Sequence, residues 1–162
     1  MRATDLLRED HRKVHDMFLE LEAMPPGQGD GRQALWQQIV TELNVHAQAE
    51  EAAFYPAVRA ASRRIDDAEA GHRHLRTVIA EVESYDPGSE QFAGGVRLVR
   101  QIVNAHVMEE EGGIFLDAER LGPDELERLG AELEQRKQAL QGARQPGARA
   151  EGRAPAPTKK IA

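Results

Sequence analysis

Apolar side chains recur along four stretches of the sequence at steps of three and four residues, the period of one face of an α-helix. In the first stretch this stripe contains Leu7, Val14, Phe18 and Leu21. Three similar stripes follow, and none of them shows the alternation of apolar and polar residues that is typical of a β-strand. We therefore predict an all-α protein in which four amphipathic helices bury their apolar faces against one another in a bundle.

Segments that contain Pro, Gly or Asx-type turn residues interrupt the helical pattern at 25–31, 63–67, 86–89 and 121–125. The stretches between these breaks have the length of helices. After the last break, Pro123 stands at the first helical position and is followed by acidic residues, as at many helix starts. A short fifth helix, with leucines along one face, is therefore expected after the bundle.

The last part of the chain differs in composition from the rest. Residues 142–162 are rich in Gly, Pro and Ala, and they carry five basic side chains against one acidic side chain. A segment with so few large apolar residues cannot bury enough surface to order itself, so we predict a disordered basic tail. The predicted organisation is a four-helix bundle at 1–120, an extra helix at 121–141 and the tail at 142–162.

A histidine interrupts each of the four apolar stripes. In the second and fourth stripes a glutamate follows the histidine four residues later, which places both side chains on one face of the helix. Because this face is the one that turns to the core, the carboxylates need partners there, since an unpaired buried carboxylate is costly. The residues are His11, His46 with Glu50, His72, and His106 with Glu110.

The two halves of the chain repeat one another. The segment "DHRKVHDMFLELE" aligns with "GHRHLRTVIAEVE", and "VHAQAEEAAFY" aligns with "AHVMEEEGGIF", at an offset of 60 or 61 residues. The alignment matches the histidines and glutamates of one half with those of the other. Such a duplication would arrange two equivalent sets of ligands around a pseudo-twofold axis, which is the symmetry of a two-metal centre.

The donor atoms suit two metal ions and leave some coordination positions open. Four imidazoles and two bridging carboxylates give about eight donors, and a solvent bridge fills two more of the roughly twelve positions around two octahedral ions. About two positions stay open for a small molecule. Mixed imidazole and carboxylate ligation favours redox-active non-haem iron, with manganese or zinc as the alternatives.

Two other interpretations of the histidines compete with a dinuclear site. A single His-x-x-x-Glu set is more often a surface pair, but two copies fixed to a repeat favour a metal centre over a metal-free helical interaction protein. A ferritin-like site would need Glu-x-x-His from two helices. Only Glu69 and His72 have this spacing, so we attribute it to coincidence.

The order His, His-x-x-x-Glu, His, His-x-x-x-Glu resembles the hemerythrin-like family of HHE cation-binding domains. The segments "DHRKV", "HAQAEEAAFYPA", "GHRHL" and "HVMEEE" carry the resemblance, which covers residues 4–120. It implies an up-down four-helix bundle around two non-haem iron ions with an oxo or hydroxo bridge. By position it assigns the terminal ligands to the four histidines and the bridges to the two glutamates: His11, His46, His72, His106, Glu50 and Glu110.

The chain departs from the oxygen-carrying hemerythrins at the ligand positions. Those proteins have five histidines, with a His-x-x-x-His pair on the third helix and an aspartate on the fourth. Here Arg76 and Glu110 occupy these places, which weakens the case for reversible oxygen carriage. His15 and Tyr55 are kept as candidates for an additional ligand or for a supporting position beside the ligands.

Composition and charge narrow the possible cofactors, partners and cellular location of the protein. The 162 residues include no cysteine, which excludes disulfides and cysteine-ligated zinc or iron–sulfur clusters. The net charge is −7 although the tail is basic, and this acidic body argues against nucleic acid as a partner. The charged amino terminus and the lack of a long apolar run predict a cytoplasmic protein with no membrane association.

Function is predicted from the open coordination positions. We expect a non-haem di-iron protein that reacts with small oxygen species, by consuming hydrogen peroxide or by defence against oxidative or nitrosative stress, as the resemblance to short bacterial family members suggests. The alternative is a module that binds or senses O2 or iron reversibly without catalysis. The expected small ligands are O2, hydrogen peroxide and NO.

Overall fold

Four long helical rods and one further helix make up the protein in the computed structural model, which describes residues 1–25 and 27–143. Two of the rods contain a π-helical turn, at Glu50–Phe54 and Glu110–Ile114, and a 3-10 turn, Glu119–Leu121, precedes the last helix. The α-helices are α1 Ala3–Ala23, α2 Gly29–Ala49, α3 Tyr55–Val58, α4 Ile65–Glu83, α5 Glu90–Glu109, α6 Phe115–Ala118 and α7 Pro123–Gly142.

The rods pack as an up-down bundle. α1 contacts α2 and α5, and α4 contacts α5. The described residues form no strand, so the predicted all-α class and the four-helix bundle are confirmed. None of the helices in the described ranges is both long and apolar enough to cross a membrane. Except for Gly142 and Ala143, the tail predicted at 142–162 lies outside the described residues.

Local chemistry fixes where several helices begin. Ser89 caps α5, because its hydroxyl accepts a hydrogen bond from the backbone N–H of Phe92 at 3.1 Å. Gly122 adopts a φ of 83°, a conformation that few residues other than glycine tolerate, and Pro123 then starts α7. The break predicted at 121–125 is therefore a turn followed directly by a new helix.

The apolar core consists of two clusters. The first cluster surrounds Trp36, Phe18 and Phe92, and the second surrounds Phe54 and Phe115. Along each long helix, the histidine lies between residues of one cluster and residues of the other, and Glu50 and Glu110 follow one turn later, where the second cluster begins. The polar residues thus form a layer across the middle of the bundle, with apolar packing on both sides.

The helix α7 belongs to the second cluster. It has 20 residues and packs against α1 and α2, with Leu126, Leu129 and Leu133 buried. The amino-terminal segment crosses it closely, because a Cβ atom on Gly130 would lie 2.1 Å from the carbonyl oxygen of Met1. The helix α7 is therefore packed into the core of the bundle and is not a loosely attached extension.

Replacing Leu129 by alanine should lower the free energy of unfolding by about 2–5 kcal/mol, because the side chain is 1% exposed and the substitution leaves a cavity. Urea denaturation of the metal-free protein measures this change. Leu98→Ala is the matched control, since Leu98 is 47% exposed and should cost little. Equal losses for the two variants would contradict the docked position of α7.

Candidate metal centre

The four histidines and two glutamates singled out by the sequence meet in the middle of the bundle. Position 1 is the pair His11 and His46, whose Nε2 atoms are 3.3 Å apart. Position 2 is the pair His72 and His106, whose Nε2 atoms are 3.0 Å apart. One histidine comes from each of the four long helices, so every rod of the bundle contributes to the cluster.

The two glutamates connect the two positions. Glu50 places Oε1 3.2 Å from Nε2 of His46 and Oε2 3.4 Å from Nε2 of His72. Glu110 places Oε2 3.2 Å from Nε2 of His11 and Oε1 3.5 Å from Nε2 of His106. Each carboxylate therefore presents one oxygen to each position, as a bridging ligand would.

The donor set fits cations. Glu50 and Glu110 are both 0% exposed, and neither Glu50 Oε1 nor Glu110 Oε2 has a hydrogen-bond partner among the described residues. Buried carboxylate oxygens without a partner are costly unless they are paired or coordinate a metal. In each of two groups, imidazole nitrogen and carboxylate oxygen atoms lie within 4.8 Å of one another. The groups are His11, His46, Glu50 and Glu110, and Glu50, His72 and His106.

A π-helical turn begins at each of these glutamates. The backbone N–H of Tyr55 donates to the carbonyl of Glu50, and that of Phe115 donates to the carbonyl of Glu110, each reaching back five residues. The wider turn rotates the residues that follow relative to a regular helix. A regular α-helix would instead leave Tyr55 one residue beyond the interior position of Phe54.

Tyr55 consequently reaches the cluster. Its hydroxyl donates to Glu110 Oε1 at 2.6 Å and lies 3.3 Å from His72 Nε2. The phenol ring stacks on the imidazole ring of His72. Burial, together with the negative charges of Glu50 and Glu110, raises the pKa of the Tyr55 hydroxyl far above its ordinary value. The side chain is therefore a neutral phenol that carries its proton inside the centre.

The structure does not bring His15 to the cluster, although the sequence had made it a candidate ligand or supporting residue. Its side chain is exposed. On α1 the residues His11 and Val14 are both buried. Because successive residues of an α-helix are about 100° apart, His15 points away from the direction of Val14. Among the described residues the cluster therefore contains four imidazoles.

Three further carboxylates, none of which is among the residues predicted for the site, hold the outer nitrogens of the histidines. Asp10 lies 3.1 Å from Nδ1 of His46, and Glu51 lies 2.9 Å from Nδ1 of His72. Glu111 lies 2.8 Å from Nδ1 of His11. A proton shared on Nδ1 leaves the Nε2 lone pair directed at the centre, which is how such partners orient metal-binding histidines.

Each outer carboxylate is in turn paired with a cation. Lys137 of α7 donates to Asp10. Arg76 donates to Glu51 at 3.0 Å, and Arg8 lies 3.9 Å from Glu111. One signal in the sequence pointed to the outer carboxylates. A second glutamate follows the motif glutamate in both halves of the repeat, as Glu50-Glu51 and Glu110-Glu111.

A small cavity of about 30 Å³ adjoins the imidazoles on the side of the Trp36 cluster. Apolar side chains from all four long helices line it, and the only charged lining residue besides the histidines is Asp10. A space of this size holds one or two molecules as small as water. The apolar residues are Val14, Leu43, Ala47, Leu75, Val103 and Val107.

The buried imidazoles and carboxylates of the cluster shift one another's pKa values in the metal-free protein. Burial alone would lower the pKa of His46, but the charge of Glu50 and the hydrogen bond to Asp10 outweigh it and raise this pKa well above its usual value. Burial would raise the pKa of Glu110, but the imidazoles of His106 and His11, whose Nε2 atoms lie 3.5 Å and 3.2 Å from its oxygens, hold it well below its ordinary range. Ionised carboxylates thus face at least one imidazolium when no metal is bound.

An antiparallel bundle that buries two imidazole pairs joined by two carboxylates belongs to the class of helical cation-binding proteins. Residues 2–116 match the family model of the Hemerythrin HHE cation binding domain, which covers more than half of the chain. The protein belongs to this family. The helix α7, with Lys137, lies beyond the matched region.

Individual relatives extend this comparison. A curated protein of Mycobacterium tuberculosis (strain ATCC 25618 / H37Rv), "Uncharacterized protein Rv2633c", is 24% identical over 144 residues, which are 88% of this chain and 89% of the relative. The crystal structure of a hemerythrin HHE cation binding domain-containing protein, an Rv2633c homologue from Mycobacterium kansasii, superposes with a TM-score of 0.81. It is 23% identical, covers 88% of this chain and 89% of its own, and shows the shared fold.

A curated protein named "DNA nickase", from Nostoc sp. (strain PCC 7120 / SAG 25.82 / UTEX 2576), is 29% identical over 144 residues. The match covers 87% of this chain but only 40% of that protein. The chain therefore spans less than half the length of this relative, and the activity in the relative's name is that of the longer protein.

Metal uptake near neutral pH should release protons. The raised pKa values of His46 and His72 keep these imidazoles protonated to a higher pH than usual, and a metal binds only the neutral form. Affinity should therefore fall as the pH is lowered through these raised pKa values. Adding Zn²⁺ to metal-free protein in weak buffer with a pH indicator should release at least about one proton per chain.

His74→Gln is the control for this titration, because His74 is exposed on α4 and belongs to neither position. It should release as many protons as the unchanged protein. Zinc binding without any release of protons would contradict the charge arrangement inferred for the metal-free centre.

Proposed function

We propose that the protein holds two iron ions with an oxo or hydroxo bridge and that this centre consumes hydrogen peroxide, in defence against oxidative or nitrosative stress. Position 1 would hold one ion through His11 and His46, and position 2 the other through His72 and His106. Glu50 and Glu110 would bridge them. The observation that carries the proposal is that each buried glutamate presents one oxygen to each histidine pair.

The nature of the donors supports iron. Imidazole and carboxylate together suit redox-active non-haem iron, and the described cluster contains no thiolate that would favour softer metals. When bound, iron supplies the electron transfer that turns two molecules of hydrogen peroxide into two of water and one of O2. The residues around the centre must admit the substrate and supply protons for the reaction.

The cavity beside the centre supports a small substrate. Its volume of about 30 Å³ admits a molecule of the size of hydrogen peroxide, O2 or NO. Its apolar lining holds few waters that would compete for the site. The cavity therefore offers a small molecule an apolar surface rather than specific hydrogen bonds.

Tyr55 supports a reaction that moves protons. Its hydroxyl oxygen donates a hydrogen bond to Glu110 Oε1 at 2.6 Å and lies within 3.5 Å of the Nε2 atoms of His72 and His106. The raised pKa of this hydroxyl keeps the proton in place when no metal is bound. A peroxide oxygen that leaves as water needs a proton, and Tyr55 is a neutral donor buried at the centre.

Reversible oxygen carriage has less support. Arg76 stands where the oxygen carriers have their second histidine on the third helix, and it donates to Glu51. His15 is exposed, so neither residue adds a fifth imidazole. A centre with four imidazoles leaves more room for a reacting molecule than a carrier requires.

Protein produced in iron-replete medium should contain about two iron ions per chain, the number expected of a dinuclear site. His72→Ala should lower this number by half or more, because His72 presents its Nε2 to position 2. His74→Ala, two residues along the same helix, should leave it unchanged. Elemental analysis after gel filtration measures all three, and equal losses at His72 and His74 would contradict the site.

The iron-loaded protein should consume hydrogen peroxide at least about tenfold faster than an equal amount of free iron, because the histidines that would hold the two ions line the cavity. Val103→Phe should slow this reaction while keeping the iron, because Val103 lines the cavity. Leu98→Phe, on the exposed face of the same helix, is the control. Evolution of O2 in an oxygen electrode gives the rate.

Stopped-flow mixing of the reduced protein with O2 distinguishes the alternative. A spectral change that persists and is reversed by argon would contradict peroxide consumption and favour reversible binding. A response to NO alone, with none to peroxide, would leave only the nitrosative part of the proposal.

A further inference from the structure

The pseudo-twofold repeat fails at two places around the centre. Alignment of the halves matches Asp10 with Gly71 and Tyr55 with Phe115. The ligands themselves follow the repeat, since His46 corresponds to His106. The two metal positions therefore have the same kinds of ligand but different neighbours.

The first difference lies behind the histidines. At position 1 Asp10 accepts a hydrogen bond from Nδ1 of His46 at 3.1 Å, and Lys137 holds Asp10 from the other side. At position 2 the equivalent residue is Gly71, where a Cβ atom would lie 3.3 Å from Nδ1 of His106. No residue in the described ranges accepts a hydrogen bond from this nitrogen.

The remaining histidines do not compensate for this difference. His11 has Glu111 and His72 has Glu51 on their Nδ1 atoms, at 2.8 Å and 2.9 Å. Position 1 thus has two histidines held by carboxylates, and position 2 has one. Loss of such a partner typically lowers metal affinity by about 10- to 100-fold.

The second difference lies in the bridging carboxylates. Glu50 Oε1 and Glu110 Oε2, which face position 1, have no hydrogen-bond partner among the described residues. At position 2 the hydroxyl of Tyr55 donates to Glu110 Oε1 at 2.6 Å. Phe115, the counterpart of Tyr55 in the repeat, stacks on His11 as Tyr55 stacks on His72, but it has no hydroxyl to donate. An ion entering position 2 must therefore compete with an existing hydrogen bond.

We propose that position 1 binds its metal ion first and more tightly, that position 2 fills second and empties first, and that Asp10 and Gly71 are the positioning residues that set this order. The inference rests on the dinuclear site of the proposed function. The centre consequently passes through a half-loaded form, in which the ion bound by His11 and His46 is retained.

Anaerobic titration of the metal-free full chain with Co²⁺ tests this order, with calorimetry for affinity and visible absorbance for the coordination of each ion. Two binding steps of one ion each are expected, with dissociation constants at least about tenfold apart. His106→Ala should keep the tighter step and lose the weaker one. His46→Ala should lose the tighter step.

Asp10→Ala should weaken the tighter step by about 10- to 100-fold, so that the two steps merge, and it should leave the weaker step unchanged. Asp10→Asn should retain part of the difference, because its amide oxygen still accepts a hydrogen bond. Asp16→Ala is the control, since Asp16 is exposed on the same helix and should change neither step.

Two ions bound with one common affinity would overturn the inequivalence while leaving the dinuclear site intact. Equal weakening of both steps by Asp10→Ala, or loss of the tighter step in His106→Ala, would overturn the assignment of the order. Failure to bind a second ion under any condition would contradict the dinuclear site itself, and this inference with it.

Discussion

Two carboxylates buried in the middle of an apolar bundle are the constraint on which the rest of the structure depends. Glu50 and Glu110 are fully enclosed, and each has one oxygen without a hydrogen-bond partner among the described residues. Such groups destabilise a fold unless positive charge meets them. Imidazolium groups supply part of this charge in the metal-free protein, and two cations between the histidine pairs would supply it more completely.

The surrounding architecture follows from holding this charged layer between two apolar clusters. The long helices fix the histidines through packing above and below the layer, and the π-helical turns aim the residues after each glutamate back into the interior. Outside the histidines, three carboxylates pair with Lys137, Arg76 and Arg8. The cationic partners balance the outer carboxylates, so the layer ends in ion pairs near the surface rather than in uncompensated charge.

The sequence predicted the bundle and the grouping of six side chains because both depend on a regular helical period. The four-residue spacing from His46 to Glu50 and its repetition at His106 place those side chains on one face whatever the tertiary details. The same regular period failed after the glutamates, where a π-helical turn brought Tyr55 inward. It also could not reveal the contact of Asp10 with His46, because that pairing joins two helices through tertiary packing.

The helical phase of α1 explains why His15, a predicted candidate, does not join the centre. His15 follows His11 by four residues, yet it is exposed because the buried stripe of α1 turns toward Val14. Gly71 carried no signal in the sequence, and its meaning came only from its place beside His106. Differences between the halves of the repeat thus became informative once the structure showed which residues face the ligands.

Anomalous X-ray diffraction at the iron edge, from crystals of protein grown in iron-replete medium, tests the central claim most directly. The account predicts two iron peaks inside the bundle, one beside Nε2 of His11 and His46 and one beside Nε2 of His72 and His106, with Glu50 and Glu110 between them. Peaks only at the protein surface, or an ordered centre without any iron in protein that folds fully, would contradict it.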